Sequence, residues 1–182
     1  MQVDLRPTAE LSDDNHRELR ELDERVHGPR ETRPQSLKWA GIEDTLCAVR
    51  VREPAGRLVS VVYVNAREIL VNGNRTSAGG IRGVKTDPAY RRQGYGRAAM
   101  QRAMGYIWQE LQPEMGLLLS SQMAVPFYTS LGWQVFDGPV LCEQPGGVID
   151  YTAYNPGHPP MVLVPGGAPL PTGTIDLCGL PW

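Results

Sequence analysis

The chain has 182 residues, a formal net charge of −2 at pH 7 and 41% hydrophobic residues. This length predicts a single domain, residues 1–182, with enough apolar side chains for a sizeable core. The charge balance implies no basic face, so nucleic acid is not an expected partner. No apolar run of about 18 residues and no signal-like N-terminus occurs, which predicts a cytoplasmic protein without a membrane partner.

The three cysteines, Cys47, Cys142 and Cys178, are widely spaced and form no C-x-x-C pair. An odd count without metal-ligand spacing predicts reduced core thiols rather than disulfides. No metal is expected.

The first half of the chain predicts a strand, a helix and a meander of strands. A short strand at residues 2–6 precedes a helix that Ser12 caps and Gly28 ends, with a solvated polar face that includes Glu18 and Arg25. Residues 29–42 contain prolines and are too broken for one long helix. Strands follow at 45–51, 57–65, 67–71 and 75–78, where turn residues separate the first pair and the last pair.

The next segment, residues 81–111, predicts a strand, a turn, a glycine loop and a helix. Ile81 and Val84 belong to an apolar run that Thr86-Asp87-Pro88 stops, and apolar residues recur at helical spacing after Gly96. Glycines at a helix start allow an anion to approach unpaired backbone N–H groups. The segment lacks the Gly-Lys-Ser/Thr of a nucleotide-binding P-loop, and its strand lies too early for a dinucleotide fold.

Arg91-Arg92-Gln93-Gly94-Tyr95-Gly96 resembles motif A of the GNAT N-acetyltransferases. The resemblance implies acetyl-CoA as co-substrate, a pyrophosphate site at residues 91–96, and backbone contacts from Val84 and Thr86 to the acetyl group and pantetheine arm. It also implies an α/β (α+β) fold, in which a mixed, mostly antiparallel central sheet carries helices on both faces. The predicted element order agrees with that fold.

A second motif lies downstream, after a predicted buried strand at 116–121 and on a predicted helix at 124–131. Phe127-Tyr128-Thr129-Ser130-Leu131-Gly132-Trp133 is similar to motif B of the same family. By resemblance, Tyr128 protonates the departing CoA thiolate, and an ordinary pKa of about 10 suits that role. A core aromatic is the structural alternative for Tyr128.

Residues 139–182 are rich in proline and glycine, and we predict strands at 147–154 and 160–164 followed by a tail that packs back on the domain at the acceptor site. Leu119-Ser120-Ser121, motif B and the terminal Trp182 look like the aminoglycoside 2′-N-acetyltransferases. The resemblance implies acceptor contacts from Trp182, Ser120 and Ser121, and from Lys38 and Trp39 in the N-terminal cover. Trp39 is equally explained as a packing anchor. The apolar tail would suit a homodimer.

This chain departs from those enzymes where they carry acceptor-binding carboxylates. Arg82, Lys38 and Leu180 occupy these positions. Arg and Lys should reject a polycationic aminoglycoside and favour an acceptor with its own acid group. Kasugamycin, an aminoglycoside with few amines and a carboxylate-bearing appendage, fits that description, and the predicted activity is kasugamycin-type 2′-N-acetylation that confers antibiotic resistance.

The chemistry of amide formation assigns further roles. The Val84 N–H is the predicted oxyanion donor and Tyr128 the acid. The base stays open between the Trp182 carboxylate, a water chain through Ser120 or Ser121, and a downstream side chain. The downstream candidates are Glu143, Asp150 and His158. Acetylation of another small amine or a protein amine, and a CoA-binding module without turnover, remain alternatives.

Overall fold

A computed structural model describes residues 1–29 and 37–182. The chain forms two compact units, each described below by itself. Unit 1 comprises Met1–Ser36, Gly41–Asn65 and Ile81–Glu110, and unit 2 comprises Leu37–Ala40, Ala66–Gly80 and Leu111–Trp182. Two long strands contribute residues to both units.

Ten strands and four α-helices are described. The strands are β1 Gln2–Pro7, β2 Cys47–Arg52, β3 Leu58–Val71, β4 Asn74–Thr86, β5 Met115–Leu119, β6 Gln134–Val135, β7 Val140–Gln144, β8 Gly147–Asp150, β9 Pro160–Leu163 and β10 Ile175–Asp176. The helices are α1 Asp13–His27, α2 Tyr95–Tyr106, α3 Val125–Thr129 and α4 Tyr151–Tyr154. Short 3₁₀ turns lie at Thr8–Glu10, Ile42–Asp44, Pro88–Tyr90, Gln122–Ala124 and Pro165–Gly167, and a π-helical turn follows α2 at Ile107–Leu111.

In unit 1, β1 pairs antiparallel with β2, and β2 pairs antiparallel with β3. The predicted helix start is confirmed, because the Ser12 side chain accepts the Asn15 N–H at 3.3 Å. Leu19 and Leu22 of α1 are buried in an apolar cluster with residues of β2 and β3. The sheet and α1 therefore share one small core.

The predicted solvated face of α1 is wrong in part. Glu18 receives two bonds, of 2.7 and 2.6 Å, from the Arg52 guanidinium on β2. Asp23 pairs with Lys85 at 2.6 Å, and the Arg25 Nε donates to Asp87 at 2.7 Å. These polar side chains attach α1 to strand residues, which the helical periodicity alone does not reveal.

In unit 2 the strand order is β6-β9-β5-β4-β3-β10-β7-β8. β5 pairs antiparallel with β9, while β10 lies antiparallel to β3 and parallel to β7. The core of this unit includes Leu117, Val162, Tyr151 and Ile175. Ile175, Leu177 and Trp182 of the Pro/Gly-rich segment are all buried.

Several boundaries differ from the sequence-based expectation. The strands predicted at 57–65 and 67–71 form one strand, β3, since no turn residue separates them. The strand predicted at 147–154 ends at Asp150, whose carboxylate caps α4 by accepting the Thr152 N–H at 2.9 Å. The helix predicted at 124–131 is only Val125–Thr129. Of the broken segment predicted at 29–42, residues 30–36 lie outside the described residues.

Within the described ranges, no helix has the length and apolar content that a membrane crossing requires.

Candidate functional site

Gly83, just before Val84, has an unusual backbone conformation within β4. Gly83 lies within β4 at φ 54°, a left-handed conformation that L-residues rarely adopt in a strand. A Cβ at this position would lie 2.9 Å from the Tyr63 ring. Sequence reasoning did not single out Gly83, although a glycine inside a predicted strand often marks a close approach of the backbone to another group. Val84 and Thr86 follow it, both half-buried.

Ser60 and Asp87 hold the end of β4 in place. The Ser60 hydroxyl donates to the Lys85 carbonyl at 2.7 Å and lies 3.0 Å from the Thr86 hydroxyl. Asp87 is 4% exposed and accepts bonds from the Arg25 Nε and from the Ala89 N–H at 3.1 Å. Both residues position the strand end and the following turn.

The glycine loop leads into α2 through two left-handed residues, Arg92 at φ 60° and Gly94 at φ 86°. Gly94 is the N-cap of α2 and no side chain caps this helix end. A Cβ at Gly94 would meet no atom within 4 Å, so the space beside it is open. A helix N-terminus with an open approach provides backbone donors for an anion.

The remaining loop residues divide into exposed cations and packing residues. Arg91 and Arg92 are exposed, and the Arg91 Nε donates to the Thr86 carbonyl at 3.3 Å. The Gln93 amide donates to the Ala89 carbonyl at 3.0 Å. The Tyr95 ring is buried and contacts the Tyr90 ring edge-on at 5.7 Å, whereas Gly96 lies in the first turn of α2. Unit 1 thus brings the predicted pyrophosphate residues into one loop.

Arg82 is half-buried on β4, and its guanidinium donates to the Gly41 carbonyl at 2.5 Å. The neighbouring Tyr63 is buried, and this burial raises the pKa of Tyr63 to about 12 although the Arg82 charge acts in the opposite direction. The bond to Gly41 fixes the position of the Arg82 side chain.

Tyr128 lies on α3 in unit 2 and is 7% exposed. Burial raises its pKa to about 12, so the hydroxyl stays protonated at neutral pH. The Tyr128 carbonyl accepts the Leu131 and Trp133 N–H groups at 2.9 and 3.2 Å, and Gly132 between them has φ 93°. The motif B sequence therefore closes α3 and fixes the tyrosine backbone.

Ser120 and Ser121 follow β5. Ser120 is 3% exposed and its hydroxyl donates to the Ser121 carbonyl at 2.8 Å, while Ser121 is half-buried. The Ser120 N–H donates to the Pro159 carbonyl at 3.0 Å. These bonds connect the end of β5 to the residues before β9.

Lys38 and Trp39 are both exposed in unit 2. The Trp39 ring contacts the Tyr151 ring edge-on at 6.0 Å. Sequence reasoning missed Gln144, whose side-chain amide bonds to the Lys38 backbone. No local signal connects two residues that are 106 positions apart.

The Trp182 ring lies in the core of unit 2 and is 3% exposed. The Arg67 guanidinium lies 5.0 Å from the ring centroid and donates to the carbonyls of Leu177 and Leu180 at 3.1 and 3.0 Å. The ring packs so closely on Gly80 that a Cβ there would lie 2.5 Å from the indole nitrogen. In this arrangement the indole is a core group.

The candidates for the base have different surroundings. Asp150 caps α4, while Glu143 and His158 are exposed. Among residues 1–29 and 37–182, no group of three or more His, Cys, Asp and Glu side chains could hold a metal ion.

Residues 8–136 match the family model described as an acetyltransferase (GNAT) domain. Among solved structures, the chain is similar to Escherichia coli ElaA, with 16% identity, a TM-score of 0.61 and coverage of 88% of this chain and 97% of that one. It is also similar to an acyl-CoA N-acyltransferase from Pseudomonas aeruginosa, with 18% identity, a TM-score of 0.61 and the same coverage. A GNAT acetyltransferase from Brucella melitensis in complex with acetyl-CoA has 13% identity, a TM-score of 0.56 and coverage of 96% and 94%.

The chain therefore belongs to the GNAT acetyltransferase family, because the family model covers well over half of it. The expected GNAT acyl-CoA N-acyltransferase fold, with its mixed sheet and helices, is confirmed.

Proposed function

We propose that the protein transfers the acetyl group of acetyl-CoA to the amine of a small acceptor. The observation that carries this proposal is the loop before α2. There, left-handed Gly94 forms an uncapped helix start beside open space, and Arg91 and Arg92 are exposed next to it. This cradle fits a pyrophosphate, and it belongs to a chain of the GNAT family.

The residues of this chain then have separate tasks. Residues 91–96 would hold the pyrophosphate, and the backbone of Val84 and Thr86 would hold the arm that carries the acetyl group. The Val84 N–H would stabilise the negative charge that develops on the thioester oxygen, and Tyr128 would protonate the leaving thiolate. Acetyl-CoA supplies the activated acetyl group, and no covalent enzyme intermediate is needed.

For the acceptor we propose an aminoglycoside of low positive charge that bears an acid group, of the kasugamycin type. The support is the charge of Arg82 in unit 1 and of Lys38 in unit 2, since a cation that contacts the acceptor disfavours a polycation. The Gly41 carbonyl holds the Arg82 guanidinium in place, and Lys38 is exposed. A carboxylate is the group that such side chains recognise.

The test is CoA thiol release from acetyl-CoA with kasugamycin, with tobramycin and with a peptide amine in separate reactions. Of the three acceptors, we expect turnover only with kasugamycin. Turnover only with tobramycin or only with the peptide would overturn the acceptor assignment, and no turnover with any amine would count against catalysis.

The donor site is tested separately with Arg92→Asn, since Asn tolerates the left-handed backbone at this position. Loss of one cation from the cradle should raise the KM for acetyl-CoA about tenfold, given that a bond to a charged group contributes roughly 1.5–3 kcal/mol. The control is Arg102→Asn, an exposed position on α2. Equal KM values in both variants would contradict the assignment.

A further inference from the structure

The segment Leu37–Ala40 is anchored at both ends. Leu37 is 8% exposed and Ala40 is 3% exposed, and both belong to the apolar core of unit 2. The Ala40 N–H also donates to the Pro181 carbonyl at 2.8 Å. The two residues between these anchors therefore have little freedom to move away from the core.

Gln144, the last residue of β7, fixes the middle of this segment. Its Oε1 accepts the Lys38 N–H at 2.8 Å, and its Nε2 donates to the Lys38 carbonyl at 2.9 Å. The second Nε2 hydrogen is directed to the Glu143 carbonyl at 2.7 Å. The side-chain amide thus reproduces the reciprocal pair of bonds that joins two antiparallel strands, with both of its donor hydrogens in use.

This anchoring fixes the backbone from which two exposed side chains project. Lys38 is exposed, and Trp39 is 43% exposed. The Trp39 ring meets the ring of Tyr151 edge-on at 6.0 Å, and Tyr151 is itself 1% exposed. Contact with a buried ring limits the positions of the indole, while its exposed part remains accessible. A rigid indole beside a cation can bind a ring through its apolar face and an acid group through its charge.

We propose that Leu37–Ala40 is an acceptor-recognition segment and that Gln144 is its positioning residue. The segment selects an amine acceptor that has an anionic group for Lys38 and a ring with an apolar face for Trp39. This inference rests on the proposed acetyltransferase function and its acid-bearing acceptor, and it adds the apolar ring that Trp39 would contact and the residue that holds the recognition segment.

The structural part is tested by hydrogen exchange in Gln144→Leu, with Gln134→Leu as control because Gln134 is exposed on β6. The Lys38 amide should exchange at least about tenfold faster in Gln144→Leu than in the wild type, since its acceptor is removed. The control should match the wild type. Unchanged protection of Lys38 in Gln144→Leu would overturn the positioning role.

The functional part compares kasugamycin with its methyl ester, which lacks the negative charge. We expect the wild type to have a KM about tenfold lower for the acid than for the ester, and both Gln144→Leu and Lys38→Met to lose this preference. The KM for acetyl-CoA should stay unchanged in both variants.

Trp39 fluorescence, taken as the difference between wild type and Trp39→Phe, should change when kasugamycin is added without acetyl-CoA.

Two results separate the failures. If the wild type acetylates amines but shows no preference for the acid, and Gln144→Leu keeps the wild-type KM values, the inference is wrong and the proposed function stands. If acetyl-CoA does not bind and no CoA is released with any amine tested, the proposed function is wrong and the inference falls with it.

Discussion

At the scale of single residues, the surroundings of Tyr128 decide the chemistry that its hydroxyl can perform. Burial raises its pKa to about 12, which keeps the proton on the hydroxyl throughout the pH range of ordinary assays. A hydroxyl that is still protonated can donate a hydrogen bond to the departing thiolate. Its exposure of 7% also means that Phe would fill the same space.

We therefore expect Tyr128→Phe to fold normally and to lower kcat by roughly 10²-fold or more, the usual contribution of a positioned acid. The KM for acetyl-CoA should change little. Tyr154→Phe is the matched control, because Tyr154 is 52% exposed in the same unit. A Tyr128→Phe variant with wild-type kcat would assign Tyr128 to the core alone.

The absence of a side chain at Gly80 makes room for the Trp182 ring. A Cβ at Gly80 would lie 2.5 and 2.6 Å from the indole Nε1 and Cε2, so the ring would have to move. We expect Gly80→Ala to lower the free energy of unfolding by about 1–3 kcal/mol, as overpacking does. Urea unfolding provides the measurement.

Gly105→Ala is the control for that experiment, since a Cβ at Gly105 meets no atom within 4 Å and alanine favours a helix. In a Trp182→Ala background, Gly80→Ala should cost less, because the clash is gone. An equal cost in both backgrounds would show that the indole is not the group that Gly80 accommodates.

At the scale of elements, α1 depends on the pair Glu18 and Arg52. The bond from Arg52 lowers the pKa of Glu18, despite partial desolvation. A lowered folded-state pKa stabilises the protein above the ordinary pKa of the carboxyl, and this contribution disappears as the pH falls through the folded-state value. The pair is bidentate, and its side chains are 31% and 19% exposed.

Glu18→Gln should therefore lower the free energy of unfolding by about 1 kcal/mol at pH 7, and this difference should be smaller at pH 3, below the ordinary pKa of the carboxyl. Urea unfolding at the two pH values is the measurement. Glu21→Gln is the control, because Glu21 lies 4.0 Å from Arg17 and both are more than half exposed. A loss of the same size at pH 3 would assign the effect to packing rather than charge.

The sequence predicted those elements that local signals determine. Ser12 and Gly28 mark the ends of α1, and the Gly94 loop precedes α2, because caps and glycines act within a few residues. β10 has two residues and exists only through pairing with β3 and β7, so no local pattern predicts it. The same is true of the candidate site, where motif A and motif B are local but the bonds between Gln144 and Lys38 are not.

At the scale of the whole molecule, several buried thiol and phenol groups are neutral at pH 7. Their burial opposes their ionisation at high pH. Burial raises the pKa of Cys47 to about 11 and the pKa values of Tyr63 and Tyr128 to about 12. Burial also raises the pKa of Tyr151. These groups lie in both units, so alkaline pH should lower the stability of each unit.

Cys47 provides the most direct measurement, because the ordinary pKa of a thiol lies below that of the tyrosines. Its ordinary pKa of 9.0 rises to about 11 in the folded protein, so between these values the unfolded chain has lost the proton and the folded chain has kept it. The unfolded state then binds fewer protons, and the free energy of unfolding falls by up to about 1.4 kcal/mol per pH unit for this group. Below pH 9 the contribution is fully present.

Cys47→Ala should cost stability at pH 7 by creating a cavity, yet lose less stability than the wild type between pH 9 and pH 11. Cys178→Ala is the comparison, because Cys178 is exposed and its removal should change the slope less than Cys47→Ala does. Urea midpoints in both variants give the slopes. If Cys47→Ala and the wild type decline in parallel, the alkaline loss belongs to the other buried groups, Cys142 and the tyrosines, and the Tyr63→Phe variant should then show the shallower slope above pH 10.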